Sequence, residues 1–156
     1  MKYTFNTLEE VKTAIEQWFI TLGFDNKERA EKQYLKIIAE VGEMADALCK
    51  EDLENLKSEA GDVFVTIVGY CLQSNEYLQI THCPPTDMRI ISIIDSIMYY
   101  LIHAEYISVI DYLQDICISQ NTTLLECATI AYNKIQGRLE RGELSVKNGT
   151  VIKSGK

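Results

Sequence analysis

The sequence predicts an all-α fold. Three features carry that reading. Apolar residues recur at i, i+3 and i+4 through most of the 156 residues. Only two prolines occur, and they stand together at Pro84-Pro85. Capping residues precede the periodic runs. A chain of this length forms a single domain (1–156) and buries a core without a disulfide or metal staple.

Thr7 with Glu10 three residues on is a capping box, and Leu8, Val11, Ile15, Trp18, Phe19 and Leu22 follow at helical spacing. Gly23 ends this first helix. Asn26 is the expected N-cap of a second helix reaching about Cys49, with Tyr34, Ile38, Val41, Ala45 and Leu48 as its core stripe. Acidic residues at 51, 52 and 54 suit the first turn of a third helix, where they oppose the helix dipole. Its stripe is Leu53, Leu56, Ala60, Val63, Ile67 and Cys71. Val63 to Val68 has strand composition, but the stripe stays in phase, so the segment reads as helix. The short linker makes the second and third helices an antiparallel hairpin.

A loop spans about Ser74 to Thr86, and Thr86 or Asp87 is the expected cap of a fourth helix. From Met88 to Ile102 nearly every face is apolar, which demands burial in the core or against another subunit. A fifth helix is expected over about His103 to Ser119 and a sixth over about Leu124 to Leu139, with Asn121-Thr122-Thr123 as the break. Asn148-Gly149 between β-branched residues signals a short C-terminal β-hairpin with a type I′ turn.

The net charge is −8, which disfavours a nucleic-acid polymer as partner. Met1 to Asn6 lacks the pattern of a secretory leader, and no apolar run is long and uncharged enough to span a membrane. Five scattered cysteines without a C-x-x-C pair suit a reduced, cytoplasmic setting. There is no P-loop, no dinucleotide fingerprint, no H-E-x-x-H and no E-x-x-H of the di-iron bundles. Trp18 and the tyrosines offer rings for stacking on a base, but core packing is the simpler reading for them.

Two acidic pairs remain: Glu40 with Glu43, and Glu59 with Asp62. Each is spaced i, i+3, so its members share a helix face. Both pairs are expected more than about 90° from the apolar stripe of their own helix. Facing one another across the hairpin, four carboxylates would repel unless a cation lay between them, and hard oxygen ligands suit Mg²⁺, with Mn²⁺ as substitute. Carboxylates make up about one residue in seven, so the spacing alone favours a pair of solvated faces over a metal site. Lys36 lies one turn before Glu40 on the same face, as a surface ion-pair partner or a phosphate ligand.

The segment from Lys32 to Leu48 resembles the metal-binding helix of the MazG-like nucleotide pyrophosphohydrolases, in the all-α NTP pyrophosphatase superfamily. Glu59-Ala60-Gly61-Asp62-Val63 resembles the second half of that family's E-E-x-x-E … E-x-x-D signature. The segments 131–138 and 148–153 are similar to the ends of phage and prophage members. The family's first paired glutamate is here Ala39, and residues of about 74–120 look like an insertion.

The resemblance implies a four-helix-bundle core with an added helical hairpin at about 87–119. It implies Mg²⁺-dependent hydrolysis of (d)NTP to (d)NMP and pyrophosphate by metal-assisted water attack at the α-phosphorus. Glu40, Glu43, Glu59 and Asp62 would hold metal, Glu40 and Glu43 would act in catalysis, and Lys36, Asn133, Lys134 and Arg138 would bind substrate. A homo-oligomer, dimer or tetramer, is expected, with the apolar hairpin as interface. The alternative is an oligomeric helical nucleotide- or metal-binding protein without turnover, which Ala39 keeps open.

Overall fold

The computed structural model describes residues 2–82, 84–147 and 150–153. Six α-helices follow in order: α1 (Leu8–Thr21), α2 (Ala30–Cys49), α3 (Leu53–Ser74), α4 (Ile90–Ile102), α5 (Tyr106–Ser119) and α6 (Leu124–Glu140). A 3₁₀ turn over Lys27–Arg29 leads into α2. Two short strands, β1 (Leu144–Lys147) and β2 (Thr150–Lys153), pair antiparallel with Leu144 opposite Lys153. The expected turn at Asn148-Gly149 lies outside the described residues. The fold is all-α in its body, and the paired strands are an appendage.

The four-helix core is α1, α2, α3 and α6, with α3 at the centre. Thirteen of its 22 residues are buried, including the whole run Val63 to Gly69. The β-branched cluster in that run is helical because helices flank it on several sides. Asp52 caps α3 by accepting from the Asn55 N–H at 3.1 Å, and Thr7 and Thr123 cap α1 and α6 in the same way. Glu51 lies outside α3, in the left-handed region at φ 53°.

Close approach of α3 to α6 requires Gly61. A Cβ there would stand 2.1 Å from the Cys127 carbonyl oxygen and 2.8 Å from the Ala131 Cβ. At Gly69 a Cβ would stand 2.3 Å from the Phe19 ring, so α1 closes on α3 by the same device.

Several expectations need correction. The buried face of α2 is Ile37, Glu40, Val41, Met44 and Ala47, whereas Tyr34, Ile38, Ala45 and Leu48 are half-buried. The expected stripe was rotated because it merged two flanks. One flank carries the buried residues. On the other, Tyr34 meets the ring of Tyr70 on α3 edge-on, and Tyr70 in turn meets Tyr106 of α5. Glu40 therefore lies at the rim of the buried face, not far from it. Asn26 precedes the 3₁₀ turn and makes no capping bond, so α2 begins three residues later than expected. The fourth helix begins at Ile90, not near Thr86, because Thr86 donates its hydroxyl to Asp115 at 2.8 Å and ties the loop to α5. The fifth begins at Tyr106, because Ala104 turns the chain at φ 58°.

The helix that is apolar all round is buried on one side alone. Ile93, Ile97 and Leu101 are covered, chiefly by α5. Ile91, Tyr99 and Ile102 face outward from the single chain.

Candidate active site

A cleft of about 610 Å³ opens between α2 and α3, closed by α6 at one end and by α1 with the chain after it at the other. Its two ends differ in chemistry. The end near α6 carries Glu40, Glu43, Glu59, Asp62 and Lys134. The far end carries Trp18, Phe19, Phe24, Arg29 and Gln73.

Antiparallel packing of α2 on α3 brings the acidic pairs together. Carboxylate oxygens of Glu40, Glu43 and Glu59 lie within 4.8 Å of one another. Glu40 is 4% exposed and Glu59 9%, whereas Glu43 is exposed. Glu40 forms an ion pair with Lys36, and this bond raises the Lys36 pKa above its ordinary value. Glu59 Oε2 is buried without a hydrogen-bond partner among the described residues. Burial pushes the Glu59 carboxyl up to about 7, helped by the charges of Asp62, Glu43 and Glu40 and opposed by Lys134. An orphaned buried carboxylate oxygen facing two more carboxylates is the donor set of a hard divalent cation, so these residues fit Mg²⁺ or Mn²⁺.

Asp62 stands beside the cluster. It pairs with Lys134 of α6, whose ammonium also donates to Ser58 Oγ at 3.2 Å. Gly61 makes this cross-helix contact reachable by letting α6 approach the α3 backbone. Lys36 and Arg138 line the same cleft. Asn133 stands apart from them. Its amide accepts from the Tyr3 N–H at 2.7 Å and donates to the Tyr3 carbonyl at 2.9 Å, so it pins the N-terminal strand of chain to α6.

Sequence reasoning missed Arg29, Lys32, Gln33 and Gln73. Arg29 lies over the Phe24 ring at 4.6 Å. Gln33 donates to the Thr66 carbonyl at 3.1 Å, and Gln73 to the Phe24 carbonyl at 2.7 Å. The one available signal was periodicity: Arg29, Lys32 and Lys36 recur at helical spacing on the approach to Glu40. Five of the 15 lysines and arginines, namely Arg29, Lys32, Lys36, Lys134 and Arg138, line this one cleft in a chain of charge −8. That concentration attracts an anion.

Fold and cleft together define an all-α protein whose helical hairpin joins a carboxylate cluster to a cationic rim. Residues 28–83 match the family model of the MazG nucleotide pyrophosphohydrolase domain. The matched span holds α2 and α3, and hence all four carboxylates. No curated protein and no solved structure matches the chain. Among the described residues, no helix is long and apolar enough to cross a membrane.

Proposed function

We propose that the protein is a Mg²⁺-dependent nucleoside triphosphate pyrophosphohydrolase. The observation that carries this reading is the junction of a three-carboxylate cluster with five cations in a single cleft. Glu40, Glu43 and Glu59 would hold the divalent cation, which when bound would supply positive charge against the triphosphate and the departing pyrophosphate. Lys36, Lys134 and Arg138 bind the phosphate oxygens, as charge-assisted donors do. Asp62 orients Lys134 toward them. Glu43, the exposed carboxylate of the cluster, holds a water molecule and takes its proton as the water oxygen bonds to the α-phosphorus. The bond from that phosphorus to the β-bridging oxygen breaks, and pyrophosphate leaves with the bridging oxygen. Asn133 supports the site by holding Tyr3 and takes no part in binding. The outward face of α4 meets a second copy of the chain.

Each common NTP and dNTP, incubated with Mg²⁺ and with EDTA, tests this. Monophosphate plus pyrophosphate is expected with metal only, and Glu43→Gln should lower turnover by about 100-fold or more with the fold retained. Diphosphate plus phosphate would refute the assigned bond. Metal-dependent nucleotide binding without any product would favour a binding protein, a reading that rests on Ala39, which is exposed on α2 where the family pattern has a further carboxylate.

A further inference from the structure

The far end of the cleft holds two polar atoms that the proposed chemistry does not use. Trp18 Nε1 and Gln73 Oε1 are both buried, and neither has a hydrogen-bond partner among the described residues. Gln73 is 4% exposed, and it lines the cleft together with Trp18. Its amide orientation is fixed by its own bond: Nε2 donates to the Phe24 carbonyl at 2.7 Å, so Oε1 is the atom left over. An unmet buried donor and an unmet buried acceptor are each costly, and a native site tolerates them where a ligand completes them.

The surroundings say what kind of ligand. Trp18 stands edge-on to Phe19 and Phe24, with ring centroids 5.4 and 6.0 Å away. Gly69 lets the Phe19 ring press onto α3 beneath them. Gln73 is eleven residues along α3 from Asp62, roughly 16 Å of helix. A ligand that spans the cleft therefore has a polyanionic end at the carboxylates and a flat apolar end with a polar edge at Trp18 and Gln73. A free polyphosphate has no such second end, and a nucleotide has.

We infer that Gln73 and Trp18 are the specificity-determining pair of the cleft: Gln73 Oε1 accepts from an N–H on the edge of the nucleobase, and Trp18 Nε1 donates to the base oxygen or ring nitrogen beside it. The inference rests on the nucleotide reading above and adds how the base is read. It makes the protein selective for base, not for phosphate chain alone. Gln73 requires an N–H at that edge, since an acceptor-only atom meets nothing on a methylated one.

Two measurements run in parallel keep the two readings separate. Calorimetry with Mg²⁺ gives the affinity of wild type, Trp18→Phe and Gln73→Met for non-hydrolysable α,β-methylene triphosphates of the four common bases. The preferred one is then compared with its counterpart in which the edge N–H is N-methyl, and with inorganic tripolyphosphate. Turnover of the ordinary triphosphates is followed separately. Wild type should bind the preferred base about tenfold or more tighter than the methylated counterpart. Both variants should bring that ratio toward one while binding tripolyphosphate as wild type does. Trp18→Phe keeps an aromatic ring in place while it removes the donor, so it stands even where Gln73→Met loosens the wall through Phe24. Base discrimination without turnover would sink the hydrolase reading and keep this one. Turnover with the ratio unchanged in both variants would overturn this one and keep the hydrolase. Variants that weaken tripolyphosphate and all bases equally would assign the pair a structural role, and a wild type that binds no nucleotide would overturn both.

Discussion

Glu59 decides how the site responds to pH. Its carboxyl is pushed up to about 7 by burial and by Asp62, Glu43 and Glu40. In the unfolded chain it ionises near the ordinary glutamate value, so between that value and about 7 the folded state holds a proton that the unfolded state has lost. The contribution of this group to stability is therefore greatest at low pH and falls as pH rises through that window. Without metal, Glu59→Gln should stabilise the protein at pH 8 by about 1–3 kcal/mol, and most of that gain should be gone by pH 5. Thermal melts in EDTA at the two pH values read this directly as a shift of several degrees. Excess Mg²⁺ should reverse the order at pH 8, because wild type then gains a ligand that the variant holds less well. A variant equally stabilised at both pH values would show that the proton is not the cause.

At the scale of the elements, the site depends on how closely α6 lies on α3. A methyl at Gly61 would meet the Cys127 backbone at 2.1 Å, and backbone cannot swing aside as a side chain can. Gly61→Ala should cost about 1–3 kcal/mol and loosen the Asp62–Lys134 pair. Gly42, where a Cβ would meet nothing within 4 Å, is the matched control, and Gly42→Ala should stabilise α2 by about 0.5–1 kcal/mol. Urea unfolding of both variants measures the pair. A mild effect at Gly61 would mean that α6 shifts freely on α3. The same elements show how much was legible in advance. Helix count, the α2–α3 hairpin and the helical reading of Val63 to Val68 follow from periodicity, which is a local signal. The azimuth of α2 does not, because Tyr34 is partly covered by Tyr70 of α3, a neighbour far along the chain that itself meets Tyr106 of α5. That error of rotation hid the burial of Glu40. The aromatic end was invisible for a related reason: which face of α1 meets α3 depends on Gly69, and the sequence shows a glycine there without saying what presses on it. Asn133 carried an ordinary polar signature, and its bond to Tyr3 spans 130 residues.

For the whole molecule, the open question is what covers α4. Its inner stripe, Ile93, Ile97 and Leu101, is nearly inaccessible, while Ile91 and Ile102 are 68% and 69% exposed on the opposite side with Tyr99 between them in sequence. A helix with this much bare apolar surface is costly in water unless something meets it. Among the described residues α4 packs chiefly on α5, which in turn packs on α3 and α6, and the outward side of α4 is left to solvent. A second copy presenting the same face is the occupant that needs no further partner, and symmetry makes such a face self-complementary. The expected mass in solution is then a multiple of 17.8 kDa. Ile91→Glu and Ile102→Glu should leave a folded protein of lower mass by light scattering, because each adds a charge where the single chain meets solvent and a pair of copies would bury it. Ile97→Glu, by contrast, places a charge in the protomer core and should unfold the chain or drive it to aggregate, with loss of several kcal/mol of stability. If wild type already runs at 17.8 kDa and Ile91→Glu changes neither mass nor melting temperature, the outward face is solvent surface and the hairpin serves only to close the back of α3.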